Sequence, residues 1–202
     1  MKLLDYMRIV ADSVSDDTLI VASHTKNVTG WLMMEKRNAC LVDLNMGLAT
    51  PVALGLAMAL PHRRVVALDS DGGATLYTSA MIDLAAQNPA NLTVVIHDNR
   101  YLISYPSLTE GKTELAAMAR GAGIENVYDV DNVEDFRRAF AQAMAKPQLS
   151  YIVARAERVR IPSPTHLIKP IGMETTLNFL RRIERDEGIS IIGRGWRMDG
   201  SS

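Results

Sequence analysis

One cysteine, Cys40, is the only thiol in the chain. That excludes a disulfide framework within it and any cysteine-built zinc or iron–sulfur site, and it makes a reducing cytoplasm the default compartment. An excess of charge of one sign is missing too. The 22 basic and 23 acidic residues leave a net charge of −1, so no general field favours nucleic acid or an anionic membrane, and any anion must be bound locally. No apolar run approaches the roughly 20 residues that span a bilayer. The opening MKLLDYMRIVAD carries acidic residues and no cleavage pattern, and reads as an amphipathic helix rather than a secretory signal. A Gly-x-Gly-x-x-Gly fingerprint is absent after the first strand candidate, which ends ASHTKN, and this argues against a dinucleotide-binding domain. No repeat, low-complexity tract or Pro/Gly-rich linker divides the chain.

What is present is a regular alternation. Short β-rich runs at 18–23, 40–44, 64–69, 92–97, 126–130 and 150–156 are separated by helical patterns. Strands apolar on both faces, with helices between them, indicate a doubly wound α/β domain with a mostly parallel sheet covered on both sides. With 48% hydrophobic residues, 202 positions bury one good core. Residues 1–157 are expected to form this domain. Residues 158–202 are expected to form a tail, in which RVRIPSPTHLIKPIG has no period and METTLNFLRRIERDEG reads as one amphipathic helix, packed on its own domain or on a partner. The small residues of LATPVALGLAMALP, with Gly47 just before them and Gly55 within, predict a helix able to lie close against another backbone.

Chemistry is concentrated between residues 66 and 101, where one apolar strand runs into Asp-Gly-Gly and the next into Asp-Asn. Neighbouring parallel strands end side by side, so Asp71 and Asn99 can face one ion. Magnesium suits such a set: a carboxylate, a neutral amide oxygen and a backbone carbonyl such as that of Tyr101, with phosphate and water completing the octahedron. Gly72 and Gly73 stand before the helix TLYTSAMIDLAAQ, which places backbone N–H groups where an anion is favoured. Each dipeptide alone is also ordinary turn chemistry. Together they bracket one strand–helix–strand unit at matching strand ends.

This segment resembles the thiamine diphosphate motif of the pyruvate decarboxylase and acetolactate synthase superfamily, which opens Gly-Asp-Gly and closes Asn-Asn. Here the opening is Ser70-Asp71-Gly72 and the closing pair is Asp98-Asn99. The resemblance implies thiamine diphosphate and Mg2+ as cofactors, with Asp71, Asn99 and the Tyr101 carbonyl as metal ligands. It assigns cofactor contacts to Thr25, Leu44, Met46, Gly47, Asp71, Gly72, Gly73, Asn99 and Ser104. Met46, before Gly47, matches the apolar wedge that bends the cofactor. The Leu44 carbonyl matches the acceptor for the aminopyrimidine. Ser70 in place of glycine bears on the tightness of the turn, and Asp98 in place of asparagine adds negative charge.

Full-length members carry a pyrimidine-binding, a central and a diphosphate-binding domain, and residues 8–157 are similar to the last alone. The chain looks like a separate β subunit of the sulfopyruvate and phosphonopyruvate decarboxylase branch. The resemblance then implies a partner α subunit that supplies the activating glutamate, a hetero-oligomer with β–β contacts, and a short anionic 2-oxo acid as substrate. The cofactor's carbanion would add to the substrate carbonyl and accept the electrons released with CO2. His24 is the candidate catalytic proton relay. His24, Thr25, Lys26, His97 and Arg100 are candidates for binding an anionic substrate group, and Ser23 or Thr25 for a diphosphate oxygen. Carboligation, as in acetolactate synthase, and a non-catalytic cofactor-binding or regulatory subunit are the alternatives. Oxoacid–ferredoxin oxidoreductase β chains share the motif but need cysteine clusters that one cysteine cannot supply.

Overall fold

A computed structural model of the chain describes residues 1–23, 26–36, 38–102, 105–158 and 172–192. Six strands form one sheet: β1 (Leu19–Ser23), β2 (Cys40–Leu44), β3 (Val65–Ser70), β4 (Leu92–Asp98), β7 (Val127–Val130) and β8 (Ser150–Arg155). Their order is β2-β1-β3-β4-β8-β7, and every neighbouring pair is parallel. A two-residue-per-strand hairpin, β5 (Tyr101–Leu102) with β6 (Tyr105–Pro106), stands apart beyond β4.

Alternation along each strand divides the core in two. Val21, Ala67, Val94 and Val153 point to one face. Ala22, Leu68, Val95 and Ile152 point to the other. The first face is covered by α3 (Ala49–Ala59), α5 (Ser79–Gln87), α6 (Leu115–Gly121) and α8 (Gly172–Glu187), and the second by α1 (Leu3–Ser13), α2 (Lys26–Leu32) and α7 (Val133–Ala145). Helix α1 forms because Leu3, Tyr6, Met7 and Val10 recur at helical spacing, and all four are buried. Tyr6 meets Phe136 of α7 at 5.0 Å between ring centroids, and Phe136 stacks on Phe140 at 5.8 Å.

Helix α3 presents Ala49, Ala53 and Ala57 to the sheet, all 1% exposed or less. The close packing predicted for this segment comes from those alanines and from Gly47. Gly55 lies on the solvent side, where an added Cβ would meet nothing within 4 Å.

The single helix predicted after Asp71 is two helices. Helix α4 (Asp71–Leu76) starts at the aspartate itself, with Ser70 as its cap, and stops at Tyr77 (φ −125, ψ 60) before α5 begins. The break puts the Tyr77 ring against Gly47, where a Cβ would lie 2.3 Å from Tyr77 Cδ2.

Helix α8 packs on its own domain. Phe179 and Ile183, one turn apart, are buried against the face that includes Leu41 of β2. Arg63 Nη1 and Glu187 Oε1, 2.6 Å apart, pin the end of the helix. No helix among the described residues is long and apolar enough to cross a membrane.

Candidate functional site

The chain runs from β1 outward to β2 and then back to β3 on the other side of β1, so the order reverses between β1 and β3. At such a reversal the loops leave in opposite directions and open a crevice beyond the carboxyl ends of the strands. A cleft of 230 Å3 lies there. Ser23, Lys26 and Asn27 line it from β1 and α2, Ser70 from the end of β3, Asp71 from the start of α4, and His97, Asn99 and Tyr101 from β4, the turn after it and the hairpin, with Met46 beside them. The tertiary structure thus brings Met46, Asp71, Asn99 and Tyr101 to one cavity. Leu44 ends β2 opposite Ser23 and is not among the lining residues. His24, Thr25 and Ser104 lie outside the described residues.

Asp71 and Asn99 are 2% and 4% exposed. Ser107 Oγ donates to Asp71 Oδ2 at 2.6 Å, and Thr109 Oγ1 lies 3.2 Å from the same oxygen. Asn99 Oδ1 accepts the Tyr101 N–H at 2.9 Å, which shapes the turn into β5. Neither group is saturated. A carboxylate has about four lone-pair sites and an amide oxygen two, so both retain capacity toward a cation.

Asp98, 5% exposed, closes this network. Its Oδ1 lies 2.8 Å from Thr109 Oγ1 and accepts the Arg100 N–H at 3.2 Å. Ser107 and Thr109 also touch each other, at 2.7 Å between their hydroxyl oxygens. Four oxygen–oxygen contacts therefore draw on two hydroxyl protons. With both carboxylates ionised, two contacts lack a proton; protonation of one carboxyl supplies one of them, and a nearby cation offsets the negative charge of the cluster. Consistently, burial raises the Asp71 pKa; the Ser107 hydrogen bond opposes that, and the Asp98 charge adds to it. This donor set of hard oxygens fits a magnesium ion. Among the described residues no cluster of three or more His, Cys, Asp or Glu side chains could hold a metal, so an ion here depends on the amide, a carbonyl and the ligands it brings with it.

The glycines shape the floor. Gly47, at φ +85, adopts a left-handed conformation and sits under the Tyr77 ring. A Cβ on Gly73 would come 2.2 Å from Asp69 Oδ1 and 3.3 Å from Gly47 N, and a Cβ on Gly72 would come 2.8 Å from Leu102 Cδ1 and 3.6 Å from Met46 Sδ. The loop after β2 and the start of α4 are therefore in backbone contact. One of the two amides expected to await an anion is engaged in this structure. Gly73 N–H donates to Ser70 Oγ at 3.1 Å. Ser70 thus caps the helix through its side chain, a hydrogen bond that a glycine at that position could not make.

Several residues that matter here escape sequence reasoning. Asp69, 1% exposed, accepts Thr50 Oγ1 at 2.7 Å, Thr50 N at 3.2 Å and Ser70 N at 2.8 Å, tying β3 to the start of α3. Burial raises its pKa against those hydrogen bonds. Ser107 and Thr109 are reached only because the hairpin folds the chain back over Asp71, and no periodicity marks them. His97 has its Nδ1 2.8 Å from the phenol oxygen of Tyr6. Burial, followed by the Lys26 charge, pushes its pKa down to about 3.

The chain matches a family model, thiamine pyrophosphate enzyme, C-terminal TPP binding domain, over residues 29–154. It is 32% identical over 120 residues to the sulfopyruvate decarboxylase subunit beta of Methanothermobacter thermautotrophicus, a stretch covering 58% of this chain and 63% of that subunit. It is 30% identical over 114 residues to the sulfopyruvate decarboxylase of Methanosarcina acetivorans, covering 54% of this chain and 28% of that protein. Against the phosphonopyruvate decarboxylase of Streptomyces hygroscopicus the identity is 33% over 102 residues, covering 50% and 25%. The matched stretch thus spans less than two thirds of each relative. In three dimensions, a protein from Mycobacterium smegmatis assigned to the thiamin diphosphate-dependent enzymes superposes with a TM-score of 0.70 at 15% identity, over 79% of this chain and 32% of that one, which speaks to the fold. A family match across most of the domain, on a sheet that brings Asp71 and Asn99 to one cleft, identifies the chain as a member of the thiamine pyrophosphate enzymes through their C-terminal TPP-binding domain.

Proposed function

We propose that this chain is the diphosphate-binding subunit of a thiamine diphosphate- and Mg2+-dependent decarboxylase. It acts in the cytoplasm and converts a short anionic 2-oxo acid, of the sulfopyruvate or phosphonopyruvate type, to an aldehyde and CO2. The observation that carries this reading is the meeting of Asp71 and Asn99 in one cleft beside Met46. The named decarboxylases among its relatives support the choice of reaction.

In this reading Asp71, the Asn99 side chain and the Tyr101 carbonyl would hold Mg2+, whose charge would offset that of the two carboxylates, Asp71 and Asp98, around Ser107 and Thr109. Gly47, Gly72 and Gly73 keep the floor free of side chains where the diphosphate approaches. To receive phosphate oxygens, the Gly73 amide exchanges its bond to Ser70 Oγ. Met46 supports the cofactor from below, and Leu44 offers its carbonyl. When bound, thiamine diphosphate supplies the carbanion that adds to the substrate carbonyl and the electron sink that lets CO2 leave. His24 moves a proton near that centre, and Thr25 and Ser104 bind the cofactor. The glutamate that activates the cofactor comes from a pyrimidine-binding α subunit, in a hetero-oligomer that also contains β–β contacts. The relative named as a subunit beta supports that division of labour.

The test is co-expression with a pyrimidine-binding partner, followed by assays with sulfopyruvate, phosphonopyruvate and pyruvate and by product analysis. Aldehyde and CO2 from the assembly, and none from either chain alone, is the expected result. Robust turnover by the isolated chain refutes the need for a partner. Acyloin products move the assignment to a carboligase. A His24→Ala assembly with unchanged rate and affinity removes His24 from the mechanism.

A further inference from the structure

Tyr6 of α1 and His97 of β4 form a buried, hydrogen-bonded pair. Tyr6 is 0% exposed and His97 3% exposed, and among the described residues the one hydrogen bond of the phenol oxygen is to His97 Nδ1 at 2.8 Å. A neutral imidazole carries its proton on either nitrogen, and here the phenol decides which. If Nδ1 held it, the phenol would accept, and its own proton would be buried without an acceptor. If Nε2 holds it, the phenol donates to Nδ1 and every proton of the pair is used or faces the cleft. An unmade buried donor costs more than an unused lone pair. Among the described residues Nε2 has no hydrogen-bond partner, yet it is not among the buried unpartnered atoms. His97 lines the cleft together with Lys26 and Asp71.

The geometry points to His97 as a substrate-binding residue whose Nε2–H, fixed in that tautomer by Tyr6, donates to the acid group of an anionic 2-oxo acid alongside Lys26. This deepens the proposed function and rests on it for the identity of the ligand. The chemistry is specific. A neutral donor held 3% exposed orients an oxyanion without adding a second positive charge, while the ammonium of Lys26 supplies the charge. Tyr6 is a positioning residue, since it acts only through the ring.

The tautomer is read on the full chain alone, from long-range 1H–15N correlations of 15N-labelled protein. The wild type is expected to show Nε2 protonated and Nδ1 bare, and Tyr6→Phe a mixture of the two tautomers. In the complex with the pyrimidine-binding partner, Tyr6→Phe and His97→Leu are expected to raise KM for the 2-oxo acid about 3- to 10-fold. kcat and thiamine diphosphate affinity should hold within about twofold. His97→Gln, whose amide offers an N–H to the cleft and an oxygen to Tyr6, should restore most of the loss. A wild-type ring protonated on Nδ1 overturns the inference. So does a set of variants that lowers thermal stability without moving KM, or that moves cofactor affinity instead. Absence of any 2-oxo acid turnover in the wild-type assembly refutes the decarboxylase reading and not the tautomer, which the spectrum of the chain decides.

Discussion

Asp71 and Asp98, from the ends of adjacent strands, contact one hydroxyl: Thr109 Oγ1 lies 3.2 Å from Asp71 Oδ2 and 2.8 Å from Asp98 Oδ1. The Asp98 charge is among the causes that raise the Asp71 pKa, after burial. A carboxyl whose folded pKa stands above its unfolded value gives stability that is complete below the unfolded value, near about 4, and lost as pH rises through the folded value. Asp98→Asn keeps an acceptor for Thr109 and Arg100 and removes the repulsion. The variant should gain on the order of 1 kcal/mol at pH 8 and almost nothing at pH 3. Denaturant melts at both values check this, and an equal change at both refutes it.

Magnesium should act on the same pair. Titration with Mg2+ is expected to raise the melting temperature of the chain, logarithmically once the ion exceeds its dissociation constant. At about 100 times the dissociation constant the gain is about 2.7 kcal/mol, or roughly 5–10 °C for a chain of this size. Chelation should reverse it, and Asp71→Asn or Asn99→Ala should abolish it. A shift that survives in both variants places the ion elsewhere.

Three glycines separate contact from composition. Gly73→Ala would set a Cβ 2.2 Å from Asp69 Oδ1, and Gly47→Ala would set one 2.3 Å from the Tyr77 ring at a φ of +85. Each should cost about 2–4 kcal/mol. Gly55→Ala meets open space within a helix and should stabilise by about 0.5–1 kcal/mol. Thermal denaturation of the three variants ranks them directly.

Docking of α8 should weaken in acid. Glu187 accepts from Arg63 Nη1 at 2.6 Å and contacts His62 Nε2 at 2.7 Å, and these partners, Arg63 first, hold its carboxyl below the ordinary range. A depressed folded pKa means a contribution present above the unfolded value, near about 4.3, and lost as pH falls through the folded one. Amide exchange in α8 should therefore lose protection below about pH 4. Glu187→Gln should flatten that dependence, and protection independent of pH in both proteins ends the prediction.

Much of the architecture was legible in the chain itself. All six apolar runs became strands of one parallel sheet, because Val, Ile and Leu on both faces of a strand can be satisfied only between two helical layers. Helices α1 and α8 were likewise visible in their spacing. The motif residues Asp71 and Asn99 were legible as a pair for the same reason, since parallel neighbours end together.

What sequence could not reveal depends on contacts between residues distant in the chain. Ser107 and Thr109 reach Asp71 only through the hairpin, Tyr77 breaks a helix to lie on Gly47, and Tyr6 meets His97 across two elements. Local periodicity reports which face of an element is apolar, and from that the layers follow. The partners of a buried carboxylate, a phenol or a glycine floor are chosen by the folded chain, where each unpaired donor or overlapping atom costs free energy that no local pattern encodes.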